Sequence, residues 1–79
     1  MKRHIRRRMI RLRVKEVAEQ QGINMAQLSR KANIDIRTLR RIYHKPTAPI
    51  STDTLNRIAL ALGVSPTTLI ENVPDEQAE

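Results

Sequence analysis

The 79-residue sequence contains no cysteine, no tryptophan and no phenylalanine, and it has a single tyrosine, Tyr43. Without cysteine there are no disulfides and no thiolate metal ligands, a usage that fits a reducing cytoplasm. With so few aromatics, a core must be built from Leu, Ile, Val and Ala, a mixture that suits a compact helical bundle better than a β-sandwich. No apolar run approaches the ~18 residues that span a bilayer, so no membrane association is expected. The basic N-terminus also lacks the following apolar stretch of a signal peptide. Catalytic constellations are missing too: no nucleophile stands beside a base, and there is no carboxylate pair, Gly-rich phosphate loop or metal-ligand spacing. An enzyme, a cofactor and a metal site are therefore not expected, and a chain this short leaves no room for a deep small-molecule pocket.

What the chain does have is charge, unevenly placed. The formal net charge is +7. Residues 1–8 hold Lys2, Arg3, Arg6, Arg7 and Arg8 with no acid, and removing those five leaves the rest at only +2. Residues 22–50 hold Arg30, Lys31, Arg37, Arg40, Arg41 and Lys45 against Asp35 alone. Beyond residue 70, Glu71, Asp75, Glu76 and Glu79 meet no cation. A basic arm, a basic centre and an acidic tail point to a polyanionic partner on one side of the molecule.

Five helices are predicted from capping residues and apolar spacing. The first runs from about Val14 to Gln21, with Val14, Val17, Ala18 and Gln21 on one face and Gly22 as its stop. Asn24 and Gln27 have capping-box spacing for a second helix over 24–32, with Leu28 and Ala32 facing inward. Asn33 suits a left-handed turn, and Asp35 caps a third helix over 35–44. Pro46 and Pro49 bracket a loop. Ser51 or Thr52 then caps a fourth helix over 53–62, with Leu55, Ile58, Ala59 and Leu62 inward and Gly63 at its end. Ser65-Pro66 opens a short fifth helix carrying Leu69 and Ile70. Before the first helix, Ile10 to Lys15 alternates apolar and basic residues with period two, which reads as a short strand. Such a strand needs a partner, either its copy in a second subunit or the extended stretch near Ile50. A first helix extended back to Ile10 is the alternative. Residues from Pro74 onward read as a frayed or disordered acidic tail.

The third helix carries the strongest functional signal. With Arg37 at zero and 100° per residue, Arg40, Arg41 and His44 fall within about 60° of it, and Leu39 and Ile42 lie near the opposite pole. A short helix anchored by its back and presenting arginines at its front suits insertion into a DNA major groove.

Two runs now carry a resemblance: Ile23-Asn24-x-x-x-Leu28-Ser29-x-x-Ala32-x-Ile34-Asp35-x-x-Thr38-Leu39-x-x-Ile42, and Thr54-Leu55-x-x-Ile58-Ala59-x-Ala61-Leu62-Gly63-Val64-Ser65 with Leu69. Together residues 13–70 resemble the XRE/Cro-type helix-turn-helix regulators, the lambda-repressor-like DNA-binding domain. The resemblance implies an all-α, five-helix domain over residues 9–73, here with the N-terminal strand added. It implies a sequence-specific regulator, commonly a repressor, that binds double-stranded DNA as a homodimer. Carried over by position, Ile36, Arg37 and Arg41 fall where base edges are read, and Asn24 where a helix N-terminus meets a phosphate. Arg40, Thr38, His44 and Lys45 fall beside the DNA backbone, with a Thr packed near the turn the alternative for Thr38 and a plain exposed residue the alternative for His44.

Three departures from the family pattern involve four positions. Met25 replaces a DNA-contacting Gln, Tyr43 and Ala18 replace an acid and an Arg that usually pair, and Lys45 replaces a frequent Gly. Loss of both pair members leaves no buried charge unpaired, and Tyr43 is expected to pack over Ala18. Two readings of the arm stay open, a minor-groove contact or an extension preceding a start at Met9. A different class of function, an antitoxin-like module that binds a partner protein as well as operator DNA, would use the acidic tail. RNA binding is disfavoured, because no aromatic platform is present for base stacking.

Overall fold

The computed structural model of the chain describes residues 8–74, and the expectations made for residues 1–7 and 75–79 fall outside that span. Strand β1 (Arg8–Leu12) leads into helices α1 (Val14–Gln20), α2 (Met25–Ala32), α3 (Ile36–His44) and α4 (Thr52–Leu62). A single 3-10 turn, Pro66–Leu69, then leads into strand β2 (Ile70–Pro74).

Each helix after the first begins where a polar side chain satisfies first-turn amides. Asn24 and Gln27 form a reciprocal capping box, with N–H···O distances of 2.8 and 2.9 Å. Asp35 accepts from the Arg37 N–H, Ser51 from the Thr54 N–H and Ser65 from the Thr67 N–H. Helix α1 differs, because its N-cap Arg13 makes no side-chain cap. The stops are equally local: Gly63 ends α4 at φ +68°, and Asn33 ends α2 at φ +57°, a left-handed conformation that Asn tolerates better than most residues.

The core is wholly aliphatic. Val14, Val17 and Ala18 of α1 pack with Leu28 and Ala32 of α2, Leu39 and Ile42 of α3, and Ile58, Ala59 and Leu62 of α4. Leu12 and Leu69 close it from the sheet side. Leu55, expected fully inward, is half-buried. Gln21, also expected inward, is exposed overall but donates from its amide to the Leu62 carbonyl at 2.8 Å, tying the end of α1 to the end of α4.

The N-terminal strand and the fifth helix both need correction. The strand occupies 8–12 rather than 10–15, because the chain turns at Arg13 (φ −102°, ψ 26°) and Val14 enters the core as the first residue of α1. Its partner is neither a second subunit nor the stretch near Ile50 but β2, antiparallel, with Leu12 opposite Ile70 and Arg8 opposite Pro74. The predicted fifth helix stops after one 3-10 turn, because Ile70 turns extended (φ −121°, ψ 149°) to join that pairing. The fold is thus mostly helical with a small two-stranded sheet, rather than all-α, and has four α-helices among the described residues. Pro74, read as the start of the tail, closes β2. The Arg13 N–H donates to the Leu69 carbonyl at 2.7 Å, while the Leu12 N–H points the other way, to the Pro46 carbonyl at 2.8 Å. By alternation along the ladder, Arg8 and Pro74 form a non-hydrogen-bonded pair, where the missing proline N–H costs nothing.

Charges stitch the sheet to α1. Arg11 reaches Glu16 at 2.7 Å and Glu71 at 3.3 Å, and Arg13 lies 3.9 Å from Glu71. Burial alone would raise the Glu16 pKa, but the Arg11 hydrogen bond and the other favourable contacts outweigh it and hold the carboxyl below its ordinary range.

Leu69 is fully buried and Ile10 is 59% exposed. Leu69→Ala should therefore lower stability by about 2–5 kcal/mol in chemical denaturation, while Ile10→Ala stays within about 0.5 kcal/mol of the parent. Equal effects would remove the C-terminal turn and sheet from the cooperative core. A carboxyl with a lowered folded pKa contributes stability that is present above its unfolded value and lost as pH falls through the folded one. Glu16→Gln should accordingly flatten the decline in stability below about pH 4.3. Because the pair is more than a third exposed, the change at neutral pH should be less than about 1 kcal/mol.

Candidate nucleic-acid interface

Helix α3 is held by its back. Leu39 is fully buried and Ile42 is 2% exposed, which fixes the rotation of the helix about its axis. The turn before it is fixed separately. Ser29 donates its hydroxyl to the Ile34 carbonyl at 2.6 Å, and the Ile34 N–H returns a bond to the Ser29 carbonyl at 3.1 Å. From α4, Arg57 donates to the Asn33 carbonyl at 3.2 Å while its Nε pairs with Asp53 at 3.0 Å.

With its rotation set, α3 turns Arg37, Arg40, Arg41 and His44 to solvent, and all four are exposed. Lys45, exposed at the C-cap, donates its N–H to the Arg41 carbonyl. Ile36 and Thr38 are half-buried on opposite flanks of the row. Of the exposed row, Arg41 lies in the last turn of the helix, where the macrodipole favours positive charge.

Asn24 sits at the start of α2, exposed, with its side-chain oxygen engaged by the Gln27 amide. The capping box leaves the amides of Met25 and Ala26 without intrahelical acceptors, so this terminus offers an anion backbone N–H groups beside the Asn24 side-chain NH2, whose neighbouring oxygen is already engaged. Met25 instead turns partly inward and packs on the core.

An open groove of about 740 Å³ runs between α1 and α3 and ends at this helix start. Asn24 and Met25 border it at α2, Arg40, Tyr43 and His44 line it from α3, and Lys15 and Glu19 line it from α1. Three residues expected beside a DNA backbone (Asn24, Arg40 and His44) therefore share one groove, while Arg37 and Arg41 form the outward crest of α3. Lys15 was not among the residues anticipated from the sequence. Its membership depends on how α1 packs on α3, which no local pattern specifies. Tyr43 packs against the core cluster to which Ala18 belongs. Burial, and then the nearby Glu19 carboxylate, push the Tyr43 phenol above its ordinary pKa, so it stays neutral.

Arg37 differs from its neighbours in having a partner. Its Nη2 lies 3.1 Å from Asp35 Oδ2, its Nε 3.4 Å from Asp35 Oδ1, and its backbone N–H 2.8 Å from the same Oδ1. The Arg37 side chain and then its backbone N–H hold the Asp35 carboxyl below its ordinary pKa. Among the described residues Arg40, Arg41, His44 and Lys45 form no ion pair. The same residues include no cluster of His, Cys, Asp and Glu that could hold a metal ion, and no helix long and apolar enough to cross a membrane.

No curated protein matches the chain. A family model does: that of the Cro/C1-type HTH DNA-binding domain matches residues 13–75, from the N-cap of α1 to just past β2. The match spans all four helices and well over half of the sequence, leaving β1 outside it. The chain belongs to the Cro/C1-type helix-turn-helix DNA-binding domain family.

Proposed function

We propose that this DNA-binding regulator reads a specific operator by placing α3 in the major groove, and that it acts as a repressor. The observation that carries the reading is the exposed row Arg37, Arg40, Arg41 and His44 on a helix whose opposite side is locked in the core. In this reading Arg37 and Arg41 read base edges. Arginine is the commonest bidentate reader of guanine, and each good pair contributes about 1–3 kcal/mol of discrimination. Ile36, at the start of the helix, offers an apolar contact such as a thymine methyl. Arg40 and His44 lie toward the groove that ends at α2, and with Lys15, Lys45, Thr38 and the amides after Asn24 they hold phosphates. Phosphate contacts set register and orientation but carry no sequence information.

One α3 covers a single half-site. The protein therefore acts as a homodimer, with half-sites about one helical turn apart and an operator that mirrors the two-fold axis. It requires no cofactor or small-molecule ligand, and its partner places it in the cytoplasm with the DNA. Occupying a groove excludes other proteins from the same DNA, and this exclusion is the basis for reading the regulator as a repressor.

Selection from random duplex DNA, combined with mass in solution, tests the core of the proposal. A palindromic site bound by a dimer is expected, and an asymmetric site bound by a monomer would overturn the two-fold arrangement. On the selected site, Arg41→Ala should relax preference at one base pair per half-site by roughly 5- to 150-fold. Lys45→Ala should weaken all sequences alike. It should also make the log–log salt slope shallower by about 0.9 for each phosphate left without its lysine, summed over both subunits. Equal losses on every sequence from both variants would refute base reading by Arg41. Adding the protein to a template that carries the selected site across a promoter should lower transcription in vitro, and a rise would refute the repressor assignment.

A further inference from the structure

We propose that Asp35 is a positioning residue for base reading: besides capping α3, it holds the Arg37 guanidinium in the orientation from which that arginine meets a base. The inference rests on the reading of Arg37 as a base reader.

The geometry separates the two roles of the carboxylate. Oδ1 accepts from the Arg37 backbone N–H at 2.8 Å, which is the cap. Asn or Ser would cap as well as Asp does, so capping leaves the second oxygen unexplained. That oxygen accepts from Arg37 Nη2 at 3.1 Å, while Oδ1 also takes Nε at 3.4 Å. The two contacts grip one edge of the planar guanidinium. Left free are both N–H groups of Nη1 and the second N–H of Nη2, the opposite edge, which matches the two acceptors that guanine presents in the major groove.

Stability does not account for this contact. The Arg37 side chain is 82% exposed and that of Asp35 49% exposed, and exposed ion pairs contribute little to folding. A free arginine at such exposure samples many rotamers and loses that freedom on binding, typically worth about 2- to 12-fold in affinity per immobilised side chain. Asp35 is fixed by its own capping bond, so it can hold Arg37 ordered before DNA arrives. Its negative charge also opposes the approach of phosphates from any sequence. One residue thus lowers indiscriminate binding and raises discrimination at one base pair.

The test compares the parent, Asp35→Asn, Asp35→Ser, Arg37→Ala and the Asp35→Asn, Arg37→Ala double variant on four duplexes. These are the selected operator, the operator changed at the base pair where Arg37→Ala relaxes preference, the operator changed at the base pair where Arg41→Ala does so, and random sequence. Asp35→Asn keeps the cap, and thermal unfolding of it and of Asp35→Ser, which also caps, shows that the fold is retained. Asp35→Asn should bind random DNA more tightly and lose about 2- to 12-fold in discrimination at the Arg37 base pair. Discrimination at the Arg41 base pair should not change. In the Arg37→Ala background the same substitution should still tighten random binding but leave discrimination unaltered. Full discrimination in Asp35→Asn and Asp35→Ser, with reduced discrimination in Arg37→Ala, would overturn the positioning role and leave base reading by Arg37 standing. Unchanged preference in Arg37→Ala would overturn both.

Discussion

The structure depends most on the tight connection between α2 and α3. Two helices joined by three residues can meet at many angles unless the turn itself is rigid. Here it is closed from both sides, by the reciprocal Ser29–Ile34 bonds within it and by Arg57 of α4 on the Asn33 carbonyl. Asn33 makes the reversal in a left-handed conformation, and Asp35 immediately starts the next helix. With the turn fixed, burying Leu39 and Ile42 leaves only one rotation for α3, and that rotation faces the arginines outward. Core packing and surface display are consequences of the same constraint.

A small aliphatic core suffices for this, but it also needs closure. Leu12 and Leu69 supply it from opposite ends of the chain, and the β1–β2 pairing brings those ends together. The Leu12 N–H bonds the Pro46 carbonyl, just past the C-cap of α3. The sheet therefore also braces the loop that follows α3, and so the position of Lys45.

What the sequence revealed, and what it withheld, divides along local and non-local physics. Helix starts are local chemistry. Asn24 with Gln27, Asp35, Ser51 and Ser65 each cap where their side chains indicated, and Asn33 turns left-handed as its residue type suggested. The outward row on α3 follows from a fixed 100° step and is equally legible. Strand pairing is different, because the partner of β1 is set by contacts between the two ends of the chain. Ile70 to Pro74 shows too short an alternation to declare itself, and Ser65-Pro66 reads just as well as the start of an α-helix. Lys15 escaped for a similar reason, since its place in the groove depends on the packing of α1 against α3. The Asp35–Arg37 contact was hidden by its spacing. Residues i and i+2 do not meet on a helix, but an N-cap lies outside the helix and can reach back to the first turn.

The distribution of acids, more than the net charge, decides which cations are available to a polyanion. Arg11 of β1 and Arg13 at the α1 N-cap meet Glu16 and Glu71, and Arg57 of α4 meets Asp53, so these three cations are matched by neighbouring carboxylates. Among the described residues, the basic side chains of α3 and its C-cap form one ion pair, that of Arg37 with Asp35. Screening in salt reduces all of these fields, but paired charges at about 3 Å lose their reach before unpaired ones do, because the pair is already a short dipole. Among the described residues, Arg40, Arg41 and Lys45 are therefore cations outside any ion pair that contribute positive potential beside the outward crest of α3. In the proposed reading, this potential draws DNA toward the α3 face, and base reading by Arg37 and Arg41 follows at contact.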